Sequence, residues 1–297
     1  MIAVDWGTSS FRAFRLDARD AVVDQVASAQ GILKVPAGGF AGVLREAIAP
    51  WLAAGEDRVL MSGMIGSRQG WVEAPYLPCP AGAATIAAAV VPVPFDGAAV
   101  RLVPGLTDRD AAGTPEVMRG EETQIIGALD RIGPNGMACL PGSHSKWATV
   151  AGGRIAGYRT YMTGEAFAAL RGGTILGRMM TDAPHDPTAF ARGVAHAGRP
   201  GHLLHHIFGV RALGLMGELA DDASASYLSG LLIGHEVRDA LHAENHVRVN
   251  HVHIIGAPAL AALYADAVAR CGGSADILPS DAAAVGLARI GAEIEWK

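Results

Sequence analysis

The first turn of the chain carries side chains that could bind an anion. The sequence begins MIAVDWGTSSFRAFRLD, in which the segment DWGTSS separates two apolar runs at residues 2–4 and 11–16. Apolar runs on either side of a Gly-containing turn predict a β-hairpin. Backbone N–H groups and hydroxyls at such a turn can form a concave nest for an anion. Taken alone, however, the segment is more typical of an ordinary edge hairpin.

A second segment repeats this plan and changes the interpretation. Residues 137–165 read MACLPGSHSKWATVAGGRIAGYRTYMTGE, which predicts strands at 138–140, 147–150 and 155–162. The first copy predicts strands at 2–4, 11–16 and 22–26, so each copy is a β-meander whose first turn combines Gly with hydroxyls. Two such turns facing each other across a cleft would clamp a polyphosphate. Neither GxxxxGK[ST] nor a GxGxxG that opens a helix after a strand occurs in the sequence.

The remaining elements must position these turns, and they alternate in the α/β pattern. Helices are predicted at residues 40–54, 115–129, 224–242, 259–270 and 281–290, and strands at 58–62, 100–103, 251–255 and 277–278. Pro115 is expected at the first position of its helix. The stretch 74–95 is uncharged but contains five prolines. It therefore predicts a loop and a short buried helix rather than a membrane span.

Composition excludes several classes of protein. The chain has 297 residues, of which 50% are hydrophobic and 18% charged, so a sizeable globular core is expected, in two domains or in one large one. A net charge of -5 argues against binding to nucleic acid or to a membrane surface. Three distant cysteines without a CxxC pair argue against a disulfide framework or a zinc ribbon. No signal peptide is expected, and a cytoplasmic location is predicted.

Six segments in order along the chain resemble one family. They are MIAVDWGTSS, MSGMIGSRQGWVEAPYLPCPAG, RGEETQIIGAL, LPGSHSKW, TYMTGE and HIIGAPALAALYADA. The chain resembles the actin/hexokinase/heat-shock-ATPase superfamily and, within it, the 2-dehydro-3-deoxygalactonokinase family. The resemblance implies an α/β fold with two actin-like (ribonuclease-H-like) domains, mixed sheets flanked by helices, and a nucleotide cleft between them. We predict these domains at residues 1–118 and 119–297.

The same resemblance implies an activity and its cofactors. The reaction would be ATP-dependent phosphorylation of the terminal (6-) hydroxyl of 2-dehydro-3-deoxy-D-galactonate, with Mg²⁺, in galactonate catabolism. Two alternatives stay open, namely a kinase for another sugar or sugar acid, and a non-metabolic ATP-driven switch or sugar sensor. The second is disfavoured because the sequence has no helix-turn-helix and no basic surface run. The expected partners are a sugar acid and ATP, without nucleic acid or membrane, and a homodimer is compatible with the sequence.

Residue roles follow from matching the family motifs. The contacts to the nucleotide are expected from Gly7, Thr8, Ser9, Gly142, Ser143, His144, Gly256 and Ala257. Arg12 lies on the same face of its strand as Ser10, so it is predicted either to reach phosphate or to be a solvated edge arginine. Asp5 is expected to hold Mg²⁺ through water; the alternative is a turn acid that accepts local N–H groups.

The general base should be a carboxylate between the two phosphate motifs. In hexokinase-like relatives an acid begins a helix shortly before the second motif, and that register falls on Glu121 and Glu122. We predict Glu122 as the base, with Glu121 as second choice and Asp5 sharing the role. An acid near a helix N-terminus is also favourable electrostatically without any catalytic role.

The loop after the fourth strand is predicted to bind the sugar acid. It gathers Ser67, Arg68, Gln69, Trp71, Glu73 and Tyr76. Arg68 is expected to pair with the substrate carboxylate because its planar fork suits bidentate contact, and an ion pair with Glu73 is the alternative. Lys146 and His144 could serve the phosphates or the sugar acid.

Histidines elsewhere are expected to be non-catalytic. His202, His205 and His206 have helical spacing without an accompanying acid or thiol, so surface or interface positions are predicted. His251 and His253 alternate with apolar residues on a strand and are predicted to flank the core.

Overall fold

A computed structural model describes residues 1–242, 250–279 and 281–296 of the chain. The strands are β1 (Ile2–Trp6), β2 (Phe11–Leu16), β3 (Val22–Ser28), β4 (Arg58–Ser62), β5 (Tyr76–Pro78), β6 (Val91–Val93), β7 (Ala99–Leu102), β8 (Gly105–Arg109), β9 (Pro115–Met118), β10 (Asn135–Leu140), β11 (Ser145–Ala151), β12 (Arg154–Tyr161), β13 (His251–Ile254) and β14 (Ser274–Ile277). The helices are α1 (Phe40–Ala53), α2 (Ala83–Ala87), α3 (Glu121–Ile132), α4 (Thr163–Gly173), α5 (Pro187–Ala197), α6 (Leu203–Leu215), α7 (Ser224–Leu241), α8 (Pro258–Arg270) and α9 (Ala282–Ala292).

The chain divides into two compact units. Unit 1 comprises residues 1–135, 148–159 and 279–297, and unit 2 comprises residues 136–147 and 160–278. Unit 1 therefore extends past residue 118 and includes the last helix. The predicted boundary between residues 118 and 119 stays a prediction.

Unit 1 is built on a six-stranded mixed sheet. Its strand order is β3-β2-β1-β4-β7-β6. β1 is antiparallel to β2 and parallel to β4, so Asp5 at the end of β1 lies opposite both Arg12 and Ser62. Alternate residues of β1 and the apolar side of α1 fill the core, as the first meander and the helix at 40–54 predict. The end of β1 is thereby fixed by two neighbouring strands.

The helix predicted at 115–129 is wrong at its beginning. Pro115–Met118 forms strand β9, which pairs antiparallel with β8, and the helix begins at Glu121. Gly120 separates the two elements with φ +106°, a conformation that L side chains rarely adopt and that ends any regular element. The misassigned Pro115 begins an edge strand of the three-stranded sheet β5-β8-β9, where its missing N–H is tolerated.

Helix α3 is held in place by close backbone packing on α9. A Cβ on Gly127 would lie 1.9 Å from the carbonyl oxygen of Ala282, and a Cβ on Gly286 would lie 1.9 Å from that of Thr123. The two backbones therefore touch without intervening side chains. This contact fixes the N-terminal turn of α3, where Glu121 and Glu122 lie.

Unit 2 contains the second Gly/hydroxyl turn and a βαβ element. In the sheet β12-β11-β10-β13-β14, strand β13 is parallel to both β10 and β14, and α8 connects β13 to β14. The elements predicted at 224–242, 251–255 and 259–270 are confirmed within a residue at each end. Helices α5, α7 and α8 cover one face of the strands with a continuous apolar core. Within the described part of the chain, every helix is too short or too polar to cross a bilayer.

Candidate active site

The first Gly/hydroxyl turn is braced from one side. The N–H of Gly7 donates to the carbonyl of Ser10 at 2.9 Å, and the N–H of Ile32 donates to the carbonyl of Gly7 at 3.0 Å. A Cβ on Gly31 would lie 2.3 Å from the amide nitrogen of Ser9, so the turn rests directly on backbone. Thr8 and Ser9 are exposed. The turn is thus rigidly supported while its hydroxyls face solvent.

Asp5 and Arg12 form an ion pair across β1 and β2. The carboxylate of Asp5 is mostly buried, whereas more than a third of the Arg12 side chain is exposed. Asp5 therefore holds the Arg12 side chain in place near the start of β2. Its predicted contact with phosphate stays a prediction.

Two glycines, Gly63 and Gly120, allow the elements that carry Asp5, Glu121 and Glu122 to approach closely. Gly63 follows β4 with φ +98°, and a Cβ there would lie 2.7 Å from the carbonyl of Trp6 and 3.4 Å from Oδ1 of Asp5. A Cβ on Gly120 would in turn lie 3.2 Å from the Cα of Gly63. The ends of β1 and β4 and the start of α3 therefore meet. The structure brings Asp5 close to the turn that carries Glu121 and Glu122.

Glu121 and Glu122 have different environments on the same helical turn. Glu122 is fully buried; its Oε2 accepts from the N–H of Gly120 at 2.7 Å and its Oε1 accepts from the hydroxyl of Thr123 at 3.1 Å. Burial, and secondly the charge of Glu121, raises the pKa of Glu122 from 4.5 to about 8. Glu121 is half-buried, and its Oε2 accepts from the backbone N–H of Arg119 at 3.0 Å. Only Glu121 is open enough to meet a substrate hydroxyl in this conformation.

Arg119 is a buried cation that the sequence analysis missed. Only 8% of its surface is exposed, and its Nε and Nη1 have no hydrogen-bond partner among the described residues. Its Nη2 donates to the carbonyl of Ala74 at 2.7 Å, and its guanidinium lies 4.4 Å from the ring centre of Tyr76. An incompletely paired buried charge is unfavourable, so this geometry favours a bound anion. The sequence clue was the position of Arg119 directly before Gly-Glu-Glu. That whole segment was predicted to lie inside a helix, so the clue was not used.

Residues of the predicted sugar-acid loop separate into two groups. Arg68 is 87% exposed and forms an ion pair with the exposed Glu73 at 3.6 Å, which is the alternative interpretation of that residue. Gln69 is exposed, and Trp71 packs on Phe40 in the core of unit 1. Tyr76 contacts Arg119 instead. Of the loop residues, Tyr76 therefore lies at the buried Arg119, whereas Arg68 and Gln69 lie at the surface.

A buried hydroxyl lies in the same loop. The Oγ of Ser67 has no hydrogen-bond partner among the described residues, and the same is true of Ser62 at the end of β4. A Cβ on Gly66, between them in sequence, would lie 2.9 Å from Nη1 of Arg119. Buried polar atoms without a partner, in a loop that approaches a partly paired guanidinium, are expected where a ligand or water completes the hydrogen bonding.

The second Gly/hydroxyl turn packs against the start of α4. A Cβ on Gly164 would lie 2.4 Å from the carbonyl of Gly142, and the N–H of Glu165 donates to the carbonyl of Ser143 at 3.0 Å. The side chain of Glu165 pairs with Nε2 of His144, and both are about half exposed. The helix therefore supports this turn as closely as Gly31 supports the first.

The predicted adenosine segment adjoins this turn within unit 2. The N–H of Ile255 donates to the carbonyl of Cys139 at 2.9 Å, and a Cβ on Gly256 would lie 3.4 Å from Cδ of Pro141. Ala257 then caps α8, whose first helical residue is a proline. The structure thus brings Gly256 and Ala257 together with the turn at Gly142.

A cavity of about 320 Å³ opens beside this turn. Its lining is mostly apolar with a few hydroxyls, and it comprises Gly142, Thr163, Gly164, Phe167, Ala183, His185, Ala225, Ser226, Ser229, Leu232, Ile233, Leu260, Leu263 and Tyr264. An apolar cavity with a few polar groups is typical of a small-molecule site. Helices α4, α7 and α8 supply most of the walls. Of these residues, only Gly142 is predicted from the sequence to contact the nucleotide.

A buried polar network supports one wall of the cavity. Tyr264 donates to Oε2 of Glu236 at 2.7 Å, and the indole N–H of Trp147 donates to Oε1 at 2.7 Å. The hydroxyls of Ser145 and Tyr264 lie 2.8 Å apart. Burial raises the pKa of Glu236. Lys146, predicted to touch substrate, is buried and donates to Oγ1 of Thr160 at 2.9 Å.

Not all the histidine predictions are correct. His206 is buried, with only 1% exposed, so the surface position predicted for it is wrong. Its Nδ1 lies 3.0 Å from Nε2 of His235 on α7, a partner that is distant in sequence. His202 and His205 are exposed as predicted. His253 is mostly buried, and His251 is exposed rather than part of the core boundary.

The fold and the two supported turns define a class of protein. Meanders that open with Gly/hydroxyl turns, followed by a strand–Gly–helix segment, are typical of actin-like ATPases and sugar kinases, and the predicted fold class is confirmed. A solved structure from Sinorhizobium meliloti that bears the name 2-dehydro-3-deoxygalactonokinase superposes with a TM-score of 0.90 at 35% identity. The match covers 98% of this chain and 97% of that chain.

Sequence comparisons identify the family. The family model for 2-keto-3-deoxy-galactonokinase matches residues 5–290. A Rhizobium meliloti (strain 1021) protein named "Probable 2-dehydro-3-deoxygalactonokinase DgoK1" is 38% identical over 272 residues, which cover 90% of this chain and 88% of that protein. The Escherichia coli (strain K12) 2-dehydro-3-deoxygalactonokinase is 35% identical over 237 residues, which cover 80% and 78%. The chain belongs to the 2-keto-3-deoxy-galactonokinase family, and the predicted kinase class is confirmed.

Proposed function

We propose that the protein transfers the γ-phosphoryl group of ATP to the terminal hydroxyl of 2-dehydro-3-deoxy-D-galactonate. The observation that carries this proposal is the family match, which extends over residues 5–290. In the reaction the acceptor oxygen forms a bond to the γ-phosphorus while the bond to the β,γ-bridging oxygen breaks and ADP leaves. The acceptor hydroxyl proton passes to a base.

The base of the nucleotide is proposed to bind in unit 2, and each Gly/hydroxyl turn is proposed to contact phosphate. The cavity beside Gly142 has the volume and apolar lining that suit a planar base. The backbone N–H groups and hydroxyls of Gly7–Ser9 and Gly142–His144 would bind the phosphates. The close support of each turn favours this role, because a preorganised donor does not have to be ordered on binding.

Asp5 is proposed to hold Mg²⁺ through water. A single mostly buried carboxylate beside exposed hydroxyls fits this ion, which takes one or two carboxylates and completes its coordination with water and phosphate. Bound there, Mg²⁺ would neutralise charge on the phosphates. Arg12, which pairs with Asp5, would orient that carboxylate.

Glu121 is proposed as the general base instead of Glu122. A base must come within hydrogen-bond distance of the acceptor hydroxyl. Glu122 is fully buried, whereas Glu121 on the same turn is only half-buried. Glu122 would then fix the backbone at Gly120 and so position Glu121.

Arg119 is proposed to bind the carboxylate of the sugar acid. Its guanidinium has two nitrogens without partners and lies beside the turn that carries the proposed base. A bidentate contact would satisfy those donors and compensate the buried charge. Arg68 is solvated and already paired with Glu73, so it supplies less of the recognition.

Steady-state kinetics with a panel of acceptors test the proposal. ATP-dependent turnover is expected with the 2-keto-3-deoxy sugar acid and not with gluconate or neutral hexoses. Glu121→Gln is expected to lower kcat by about 10²–10⁴-fold, and Glu122→Gln to lower it much less. Turnover of a hexose at a rate equal to that of the keto acid would reject the substrate, and the reverse order of the two variants would reject the base. A homodimer and a cytoplasmic location stay predictions.

A further inference from the structure

Two histidines and an aspartate converge on neighbouring strands of unit 2. His251 and His253 project from the same face of β13, because side chains alternate along a strand. Asp276 on β14 lies directly opposite His253 in the parallel register. One ligand atom from each of the three residues lies within 4.8 Å of the others.

The carboxylate of Asp276 stands between the two imidazoles. Nε2 of His251 contacts its Oδ1, and Nδ1 of His253 lies 3.1 Å from Oδ1 and 3.3 Å from Oδ2. His253 is mostly buried, whereas His251 and Asp276 are about half exposed. Two imidazole nitrogens and a carboxylate that share a small space, open to solvent on one side, are a typical donor set for a transition metal.

The hydrogen bonds around His251 fix the orientation of its ring. The hydroxyl of Ser274 donates to the backbone carbonyl of Asn250 at 2.8 Å, so its proton is already used. Nδ1 of His251 lies 2.9 Å from the same hydroxyl and donates to it. Nε2, on the opposite side of the ring, therefore faces the carboxylate of Asp276.

We propose that His251, His253 and Asp276 bind one divalent transition-metal ion of the zinc class. The ion would link the edge strand β14 to β13. Ser274 would support the metal by holding the ring of His251 through its hydroxyl, as metal-ligating histidines usually require. Imidazole and carboxylate together select Zn²⁺, Co²⁺ or Ni²⁺ over Mg²⁺.

Calorimetric titration of untagged protein with Zn²⁺, in excess Mg²⁺, tests the proposal. One equivalent is expected to bind, with affinity at least about tenfold weaker in Asp276→Asn and in His253→Gln, and reduced by a similar factor in Ser274→Ala. His242→Gln, an exposed histidine outside the cluster, serves as the control and is expected to bind like the unchanged chain. Co²⁺ is expected to give the visible absorption of a low-symmetry site that Zn²⁺ abolishes.

Two outcomes would overturn the metal site. The first is Zn²⁺ affinity that is equal in the unchanged chain and in Asp276→Asn. The second is the absence of Zn²⁺ binding to the unchanged chain, in which case His251 and Asp276 form only a direct hydrogen bond. Hydrogen exchange in β14 of the unchanged chain gives a readout that needs no variant, since Zn²⁺ is expected to slow it and a chelator to restore it.

Discussion

Gly120 lies against Gly63, so closely that a Cβ on Gly120 would be 3.2 Å from the Cα of Gly63. Both residues have φ near +100°, in the region that favours glycine. This contact joins the end of β4 to the start of α3. It therefore holds the proposed base turn next to the strand end that carries Asp5.

Gly120→Ala is expected to destabilise unit 1 and to lower kcat. The added methyl group meets Gly63, and the backbone conformation is strained for any L residue, so a loss of about 1–3 kcal/mol in the free energy of unfolding is expected. Urea denaturation and kcat measure the two effects. Gly113→Ala is the matched control, because Gly113 has φ +85° but no atom within 4 Å of its added Cβ. Equal effects of both substitutions on kcat would contradict a role for the contact.

The sequence predicted the two meanders because their signals are local. Alternating apolar residues and Gly/hydroxyl turns determine β1, β2, β10 and β11 within a few residues. The start of α3 was missed because proline is common both at the first position of a helix and in edge strands. The pairing of β9 with β8 decides between the two, and it is not visible in the local sequence.

The candidate site was less predictable than the fold. Arg119 acquires its significance from burial against Tyr76 and Gly66, which come from a different part of the chain. The difference between Glu121 and Glu122 likewise depends on how α3 packs on α9. Sequence spacing cannot report which of two adjacent carboxylates faces inward, so the order of those two candidates required the structure.

Arg119→Gln is expected to raise KM for the keto acid by about 10²-fold without changing KM for ATP. The amide retains hydrogen bonding but lacks the charge and the bidentate fork. Arg68→Gln is the control, since that exposed side chain forms an ion pair with the exposed Glu73, and it is expected to change KM for the keto acid less than about threefold. Initial rates with each substrate varied in turn measure the difference. A larger effect of Arg68→Gln would return carboxylate recognition to the exposed loop.

Glu122→Gln is expected to change how stability depends on pH. Because the pKa of Glu122 is raised from 4.5 to about 8, the folded chain holds more protons than the unfolded chain between these values. The contribution of this group is therefore fully present below pH 4.5 and is lost as the pH rises toward 8, with a slope of up to about 1.4 kcal/mol per pH unit. Urea denaturation at several pH values is expected to show that the glutamine variant lacks this slope. Glu46→Gln, on the exposed side of α1, should retain it.

Ser229→Phe is expected to fill the cavity in unit 2 and to raise KM for ATP. Ser229 lines the cavity from α7, and a phenyl ring there would occupy space that the adenine base of ATP requires. Ser229→Ala removes the hydroxyl without filling the cavity and is expected to have a small effect. KM for the keto acid should not change in either variant. An unaltered KM for ATP in the phenylalanine variant would place the base elsewhere.

His235→Gln is expected to make unit 2 less sensitive to acid. Nε2 of the buried His206 lies 3.3 Å from the carbonyl of Pro200 and must donate to it, so Nδ1 of His206 accepts from Nε2–H of His235 at 3.0 Å. Burial, and then the neighbouring His206, lowers the pKa of His235, and burial likewise lowers that of His196. The unfolded chain therefore binds more protons below about pH 6.5, and stability is lost as the pH falls through this range.

The glutamine variant keeps a donor toward His206 but cannot titrate, so it separates the hydrogen bond from the charge. Its free energy of unfolding is expected to fall less between pH 7 and pH 5 than that of the unchanged chain, measured by the loss of helical circular dichroism in urea. His242→Gln, which replaces an exposed histidine at the end of α7, controls for removal of an imidazole alone. If both variants follow the unchanged chain across this range, protonation of the cluster around His206 does not limit the stability of unit 2, and the acid sensitivity must originate in other groups.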